Sequence, residues 1–238
     1  MAFTRGANVV TDGLVLCLDA ANPKSYISGS TSWRDMSGNT NNGTLVNGPI
    51  FNSDNGGSIL FDGTNDYAKT NTTLNLSNTN KISIEVWLKF TATPTQLIAE
   101  HSTNFNANNA FILDINELGG TGSFQFSDNG PGGYNISYTT PNFNDGKWHC
   151  FTVVSDRSQS ATNQVSIYAD SEFNTILSPA YRSDISSNYS NYDLYLGTRA
   201  GLSFFYSGSI SNLKVYNRAL SATEVQQNYN ALKSRYNL

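Results

Sequence analysis

The sequence predicts an all-β protein, an antiparallel sandwich of short strands with a short C-terminal helix. Three observations carry this prediction. The stretch Ile82–Phe90, ISIEVWLKF, alternates strictly, with Ile82, Ile84, Val86, Leu88 and Phe90 on one face and Ser83, Glu85, Trp87 and Lys89 on the other. Short apolar runs recur along the chain, separated by Gly, Asn and Asp turn signals. Convincing helical spacing occurs only once, after Ser221.

The elements follow in order. Residues 1–13 form a polar lead-in, expected to dock either on the domain itself or on a neighbouring chain. Leu14–Asp19 is a strand, and Ala20–Gly48, rich in Asn, Ser and Gly around Trp33, reads as loop. Ile59–Phe61 runs into the Asp-Gly turn of DGTNDY, Asp62–Tyr67, and Tyr67–Thr70 leaves it. Ile82–Phe90 is the central strand. Five apolar residues on one side demand a large core, and Trp87 among polar neighbours predicts partial cover on the other. Gln96–Glu100 and Ala110–Ile115 are further strands. Gly119–Gly122 is a turn, Phe124–Phe126 a strand, Ser127–Gly133 a loop and Tyr134–Tyr138 a strand. Asp145-Gly146-Lys147 turns into Trp148–Val154, and Val165–Ala169 follows. The Tyr/Ser/Asn-rich region 178–192 carries no clear pattern, and Leu194–Gly197 and Ser207–Tyr216 close the sheets. Ser221 and Glu224 form a capping box, and Val225, Tyr229 and Leu232 extend a helix to about Tyr236.

Composition narrows the function. At 238 residues the chain fits one large sandwich domain, assigned to 14–238. The 13 Phe, 13 Tyr and 3 Trp supply a sizeable core. Charged residues are 13%, against ~25% in ordinary proteins, and net charge is −4 with no Lys/Arg run, which excludes a nucleic-acid groove. There is no signal-peptide-like apolar run and no membrane-length stretch. Cys17 and Cys150 each lie in strand-like stretches and read as two buried thiols, with one inter-strand bridge as the alternative.

Four blocks in order, ILFDGTNDYAKT, ISIEVWLKF, DGKWHCFTVV and LYLGTRAG with YSGSISNLKVYNRALSATEVQQNY, resemble the laminin-G-like domains of the concanavalin A-like lectin/glucanase superfamily. The stretch from Gly208 to Val225 carries the most specific part. The opening, GLVLCLDAANPKSY with SWRDMSGNTNNGTL and NGPIFNSDNGGSILFDGTNDY, looks like the version common in bacteriophage and other viral structural proteins. The resemblance implies a jelly roll of two sheets, one concave. It also implies a virion surface subunit, of decoration or fibre type, made in the host cytoplasm and contacting other virion proteins or copies of itself. A free-standing carbohydrate-binding module is the alternative.

Some relatives are glycosidases, whose chemistry needs two carboxyls ~5–5.5 Å apart in retaining enzymes. No such pair is legible. Asp114 and Glu117, at i and i+3, point to opposite faces of a strand, and Asp170 and Glu172 sit in a turn, so no enzyme is expected. His101, placed in a loop, and His149, on the outer sheet face, have neither nucleophile nor zinc spacing. Calcium is the metal candidate, at Asp62, Asn65 and Asp66, or at Asn108 and Asn109, where the resemblance implies a rim site but an Asn replaces its Asp. For Asp62–Asp66 the competing interpretation is an Asx-type turn. For carbohydrate, including host glycans, the aromatic candidates are Trp33, Tyr134, Tyr138, Tyr189, Tyr192 and Tyr206, because rings make sugar platforms. The same residues suit a subunit interface equally well.

Overall fold

The structure is a computed structural model and describes residues 8–91, 94–103, 107–117, 120–131, 133–139, 143–174 and 183–238. Two antiparallel eight-stranded sheets face each other. The first runs Glu172–Asn174, Val165–Ala169, His149–Asp156, Lys81–Phe90, Ser207–Tyr216, Ser58–Asp62 and Ile50–Asn52. Its eighth member, Leu14–Asp19, pairs with the second half of Ser207–Tyr216, whose first half pairs with Ser58–Asp62. The second runs Gly133–Tyr138, Phe124–Gly130, Phe111–Ile115, Gln96–His101, Leu194–Leu196, Tyr67–Thr70, Gly43–Val46 and Ser32–Trp33. Leu74–Asn75 pairs separately with Asn191–Tyr192.

The core lies between the sheets. The alternation in Lys81–Phe90 works as its sequence implies, with Ile82, Ile84, Val86, Leu88 and Phe90 all buried in it. Phe111, Leu113, Phe124 and Phe126 enter from the other sheet, and Phe124 stacks on Phe151 at 4.3 Å. Each such side chain stabilises the fold by roughly 1.5–3 kcal/mol through area removed from water. Cys17 and Cys150 are free thiols, and Cys150 is buried.

The outer face of the first sheet is covered. The helix Ala222–Leu232 starts at the Ser221–Glu224 capping box and passes into a 3-10 turn, Lys233–Tyr236, so the helical segment reaches Tyr236 in two pieces. Trp87 stacks on Tyr236 at 4.1 Å and on Tyr229 at 5.5 Å, which completes the cover that its place in the alternation predicts. Residues 8–12 belong to the same layer. The Val10 amide donates to Asn228 Oδ1, the Gln227 amide to the Asn8 carbonyl, and Arg218 binds Asp12 at 2.8 Å. This part of the lead-in is therefore built into the sandwich, and residues 1–7 lie outside the described residues. No helix among the described residues is long and apolar enough to cross a membrane.

Several expected loops are strands. Ser32–Trp33 and Ile50–Asn52 form sheet edges, and Gly43–Val46 pairs on both sides next to one of them, within or beside a region that reads as loop. Phe124–Gly130 continues through the supposed turn residues 127–130 because their polar side chains serve two faces. Ser127 looks outward, and Asp128 turns inward to Arg157. His101 ends a strand instead of sitting in a loop. In DGTNDY the Asp-Gly turn is present, with Gly63 at φ +77°, where a side chain would be strained.

Candidate functional site

The outer face of the second sheet has no helix over it among the described residues. Its pairing register sets one row of outward residues across all eight strands, namely Ile136, Ser127, Ile112, Glu100, Tyr195, Lys69, Thr44 and Ser32. A second row holds Tyr138, Gln125 and Asp114. The opposite faces of these strands carry the core phenylalanines, and that fixes which way each residue points.

The middle of this face is polar and deep. Glu100 and Asp114 are buried on neighbouring strands, although a carboxylate in such a place is costly to ionise. Burial pushes Asp114 well above the ordinary carboxylate range, Glu117 adds to the push, and the Gln125 amide, donating at 3.1 Å, and Arg199 oppose it. Burial likewise raises Glu100, opposed by the Ser102 hydroxyl, which donates at 2.8 Å, and by Arg199. One oxygen of each carboxyl, Glu100 Oε2 and Asp114 Oδ1, has no partner among the described residues.

The rims are aromatic. On one side Tyr134 is 42% exposed and Tyr138 half-buried, beside a cavity of about 60 Å³ lined by Ala110, Ile112, Ser127, Asn129, Tyr134 and Ile136. Near the centre the guanidinium of Arg199 lies 4.4 Å over the exposed ring of Phe204. The turn carrying them holds Ala200 at φ +50° and Phe204 at φ +54°, a strained backbone that persists only where surroundings enforce it. Leu202 at its tip is 80% exposed. Farther along, Lys69 binds Asp193 at 2.8 Å and lies 5.2 Å from the centre of the Tyr195 ring.

The six aromatic candidates thus separate. Tyr134 and Tyr138 line the open face. Tyr192 is half-buried and donates its hydroxyl to the Asn108 carbonyl at 2.9 Å. Trp33, Tyr189 and Tyr206 are buried and present no ring to a sugar, which corrects that expectation. Trp33 packs in the core, Tyr189 lies 3.7 Å beneath the Arg157 guanidinium, and Tyr206 stands edge-on to Phe61 at 6.1 Å.

The calcium candidates are engaged with protein groups. Asp62 Oδ1 accepts the Thr64 and Asn65 amides at 2.8 and 3.4 Å, and Asp66 Oδ2 accepts the Asp62 amide at 3.2 Å, as an Asx-type turn requires. Those amides hold Asp62 below its ordinary value, while burial and the neighbouring Asp62 charge raise Asp66. Asn109 Oδ1 accepts from Arg157 and from the Ser187 hydroxyl, so it faces a guanidinium where a cation would have to sit. Asn108 offers its carbonyl to Tyr192 and Ser190. Among the described residues no group of three His, Cys, Asp or Glu side chains is gathered to hold a metal.

Sequence reasoning reaches Asp114 only as half of a rejected carboxylate pair, and passes over Glu100 and Arg199. Asp114 was legible in part, since FILDI puts it on the face opposite Phe111 and Leu113. Its approach to Glu100 and Arg199 comes from strand order, which local periodicity does not carry.

A family profile described as the concanavalin A-like lectin/glucanases superfamily matches residues 62–226. No curated protein sequence matches. Among solved structures, the binding domain of botulinum neurotoxin DC in complex with rat synaptotagmin II is similar, at 11% identity and TM-score 0.69, covering 94% of this chain and 52% of that one. So is a structure described by the dependence of botulinum neurotoxin type C cell entry on two ganglioside molecules, at 13% identity and TM-score 0.69, covering 94% and 52%. The botulinum neurotoxin type G receptor binding domain is similar at 15% identity and TM-score 0.61, covering 92% and 51%. The chain spans about half the length of these structures, and at such identities the likeness is one of fold.

Proposed function

The chain belongs to the concanavalin A-like lectin/glucanase superfamily, and on that premise we propose that it is a non-catalytic carbohydrate-binding module whose ligand lies on the outer face of the second sheet. The observation that carries this is the outer face itself, whose two rows set Glu100 and Ser127 beside Asp114 and Gln125 as a polar floor between aromatic rims. Tyr134, Tyr138 and Phe204, the rings this face leaves exposed or half-buried, would carry the apolar faces of the sugar rings. Glycan as ligand class also agrees with the structural neighbour described by its ganglioside dependence. A non-catalytic role is supported because both carboxyls of this face are buried, so neither reaches a glycosidic bond.

The setting proposed is a virus particle, where the module is a surface subunit holding to other virion proteins or to copies of itself. It rests on the opening stretches quoted above, and a free-standing module is the alternative. Residues 14–238 are the proposed domain, with 8–12 docked on it. Calcium at Asp62, Asn65 and Asp66 stays a proposal for the rim.

The test is a glycan array and ligand-observed NMR on wild type and on the double variant Tyr134→Ala, Tyr138→Ala. Binding by wild type and its loss in a variant with an unchanged melting profile is the expected result. Absence of glycan binding by wild type removes the carbohydrate role. Light scattering with and without EDTA distinguishes the settings. A stable, EDTA-insensitive oligomer favours the virion subunit, and a monomer that loses stability in EDTA favours a calcium-dependent module.

A further inference from the structure

The cavity of about 60 Å³ beside Tyr134 is too small for a sugar ring, and its walls are unlike the polar floor next to it. It is built on three neighbouring strands. Ile112, Ser127 and Ile136 are register partners in one outward row, and Asn129 and Tyr134 are partners in the next. Ile112 and Ile136 point away from the core, yet they are only 4% and 9% exposed, so they lie at the bottom of a recess. Ala110 borders it with no more than a methyl group. Asp128 borders it too, but its carboxylate is turned inward to Arg157.

The hole is apolar and its mouth is polar. The Ser127 oxygen accepts from the Gln125 amide at 3.2 Å, and its own proton has no acceptor among the described residues. Asn129 donates its side-chain amide to the Ala107 carbonyl at 3.0 Å, and its Oδ1 has no partner among the described residues. One neutral donor and one neutral acceptor thus stand beside an apolar hole.

We infer, on the carbohydrate reading of the open face, that this recess is an acyl pocket and that the sugar taken there carries an acetamido group, as an N-acetylhexosamine does. The acetyl methyl fills the hole. A dry apolar cavity of about 150 Å³ takes a guest the size of benzene, so one of less than half that volume takes a methyl or an acetyl group and not a ring. The Ser127 hydroxyl donates to the acyl oxygen, and Asn129 Oδ1 accepts the amide N–H. The exposed ring of Tyr134, at the mouth, carries the sugar ring. A free amino sugar would bring an ammonium ion to a hole with no open carboxylate to meet it. A plain hydroxyl would leave the hole to water, which finds few polar partners there.

The test is ligand-observed NMR on the full chain with matched probes, methyl N-acetyl-β-D-glucosaminide against methyl β-D-glucoside, and the corresponding galactose pair. At least one acetamido probe should bind about tenfold more tightly than its plain partner, the scale of one buried methyl and one hydrogen bond. Its acetyl methyl protons should receive the strongest saturation from the protein. Ala110→Leu fills the hole, and Ser127→Ala removes the donor without adding volume. Each should bring the ratio towards one, in protein whose melting profile shows it folded. Equal binding within both pairs overturns the acyl pocket and leaves the open face a glycan site. So does a preference that survives in either folded variant, which would place the acetamido group elsewhere. Binding of none of the probes removes the carbohydrate reading and the acyl pocket together.

Discussion

Arg157 and Asp128 meet with both side chains fully buried, 2.5 Å apart, and their ion pair ties the loop after one sheet to a strand of the other. The Tyr189 hydroxyl donates to Asp128 at 3.2 Å and lies 2.8 Å from the Ser155 hydroxyl, and Arg157 also donates to the Ser187 and Asn129 carbonyls. Every polar atom of the pair is therefore held. Removing one partner strands the other, so Arg157→Ala should cost roughly 3–5 kcal/mol. Urea denaturation of wild type, Arg157→Ala and Arg157→Ala with Asp128→Ala measures it. The double variant should recover part of the loss, and equal stability of wild type and single variant would show that the pair holds nothing together.

His101 stacks on Phe111 at 5.0 Å and donates Nε2–H to the Leu74 carbonyl at 2.8 Å, which anchors the small ribbon. Burial holds it down to about 4 from an ordinary 6.5. As pH falls, the unfolded chain takes the proton first, so stability is lost between those two values and levels below the lower one. The total is on the order of 3 kcal/mol. Melting curves across that range should show the slope in wild type and a flatter one in His101→Gln.

His149 has the opposite sign. Burial opposes its charge, but Asp170, at 2.8 Å from Nδ1, and Asp145, at 3.1 Å from Nε2, outweigh it and raise the imidazole above its ordinary value. Its contribution is full below the unfolded value and disappears as pH rises through the folded one. Asp170→Asn should therefore cost most at mildly acidic pH and least at alkaline pH. Imidazole NMR titration reads the same shift directly, and an unshifted His149 would contradict it.

Asp114 destabilises the folded state at neutral pH, because burial favours its protonated form. Asp114→Asn should raise the melting midpoint at neutral pH, with the gain vanishing as acid protonates the wild-type carboxyl. A midpoint that is lower in the variant at neutral pH would count against this account.

Much of the fold was legible from period and caps. Ile82–Phe90, Ser207–Tyr216 and the Ser221 capping box carry local signals that tertiary packing reinforces. Ser32–Trp33 and Gly43–Val46 were not, because both are short and embedded in turn-forming residues. Burial of tyrosines was illegible for a different reason. Tyr189 and Tyr206 sit in sequence beside residues that decorate loops, yet a partner distant in sequence, Arg157 for one and Phe61 for the other, draws each ring inside. The open face combines both problems, since its rows come from eight strands gathered across the chain.

The stacking of Trp87 on Tyr236 bears on how the protein is made. Ribosomes deliver the chain from one end, and a nascent domain folds as its parts emerge. The strands through Tyr216 can assemble early, but the indole of Trp87 stays bare until Tyr236 clears the exit tunnel. For that interval the growing polypeptide carries a sticky aromatic surface, and a pause in translation before Tyr236 would prolong it.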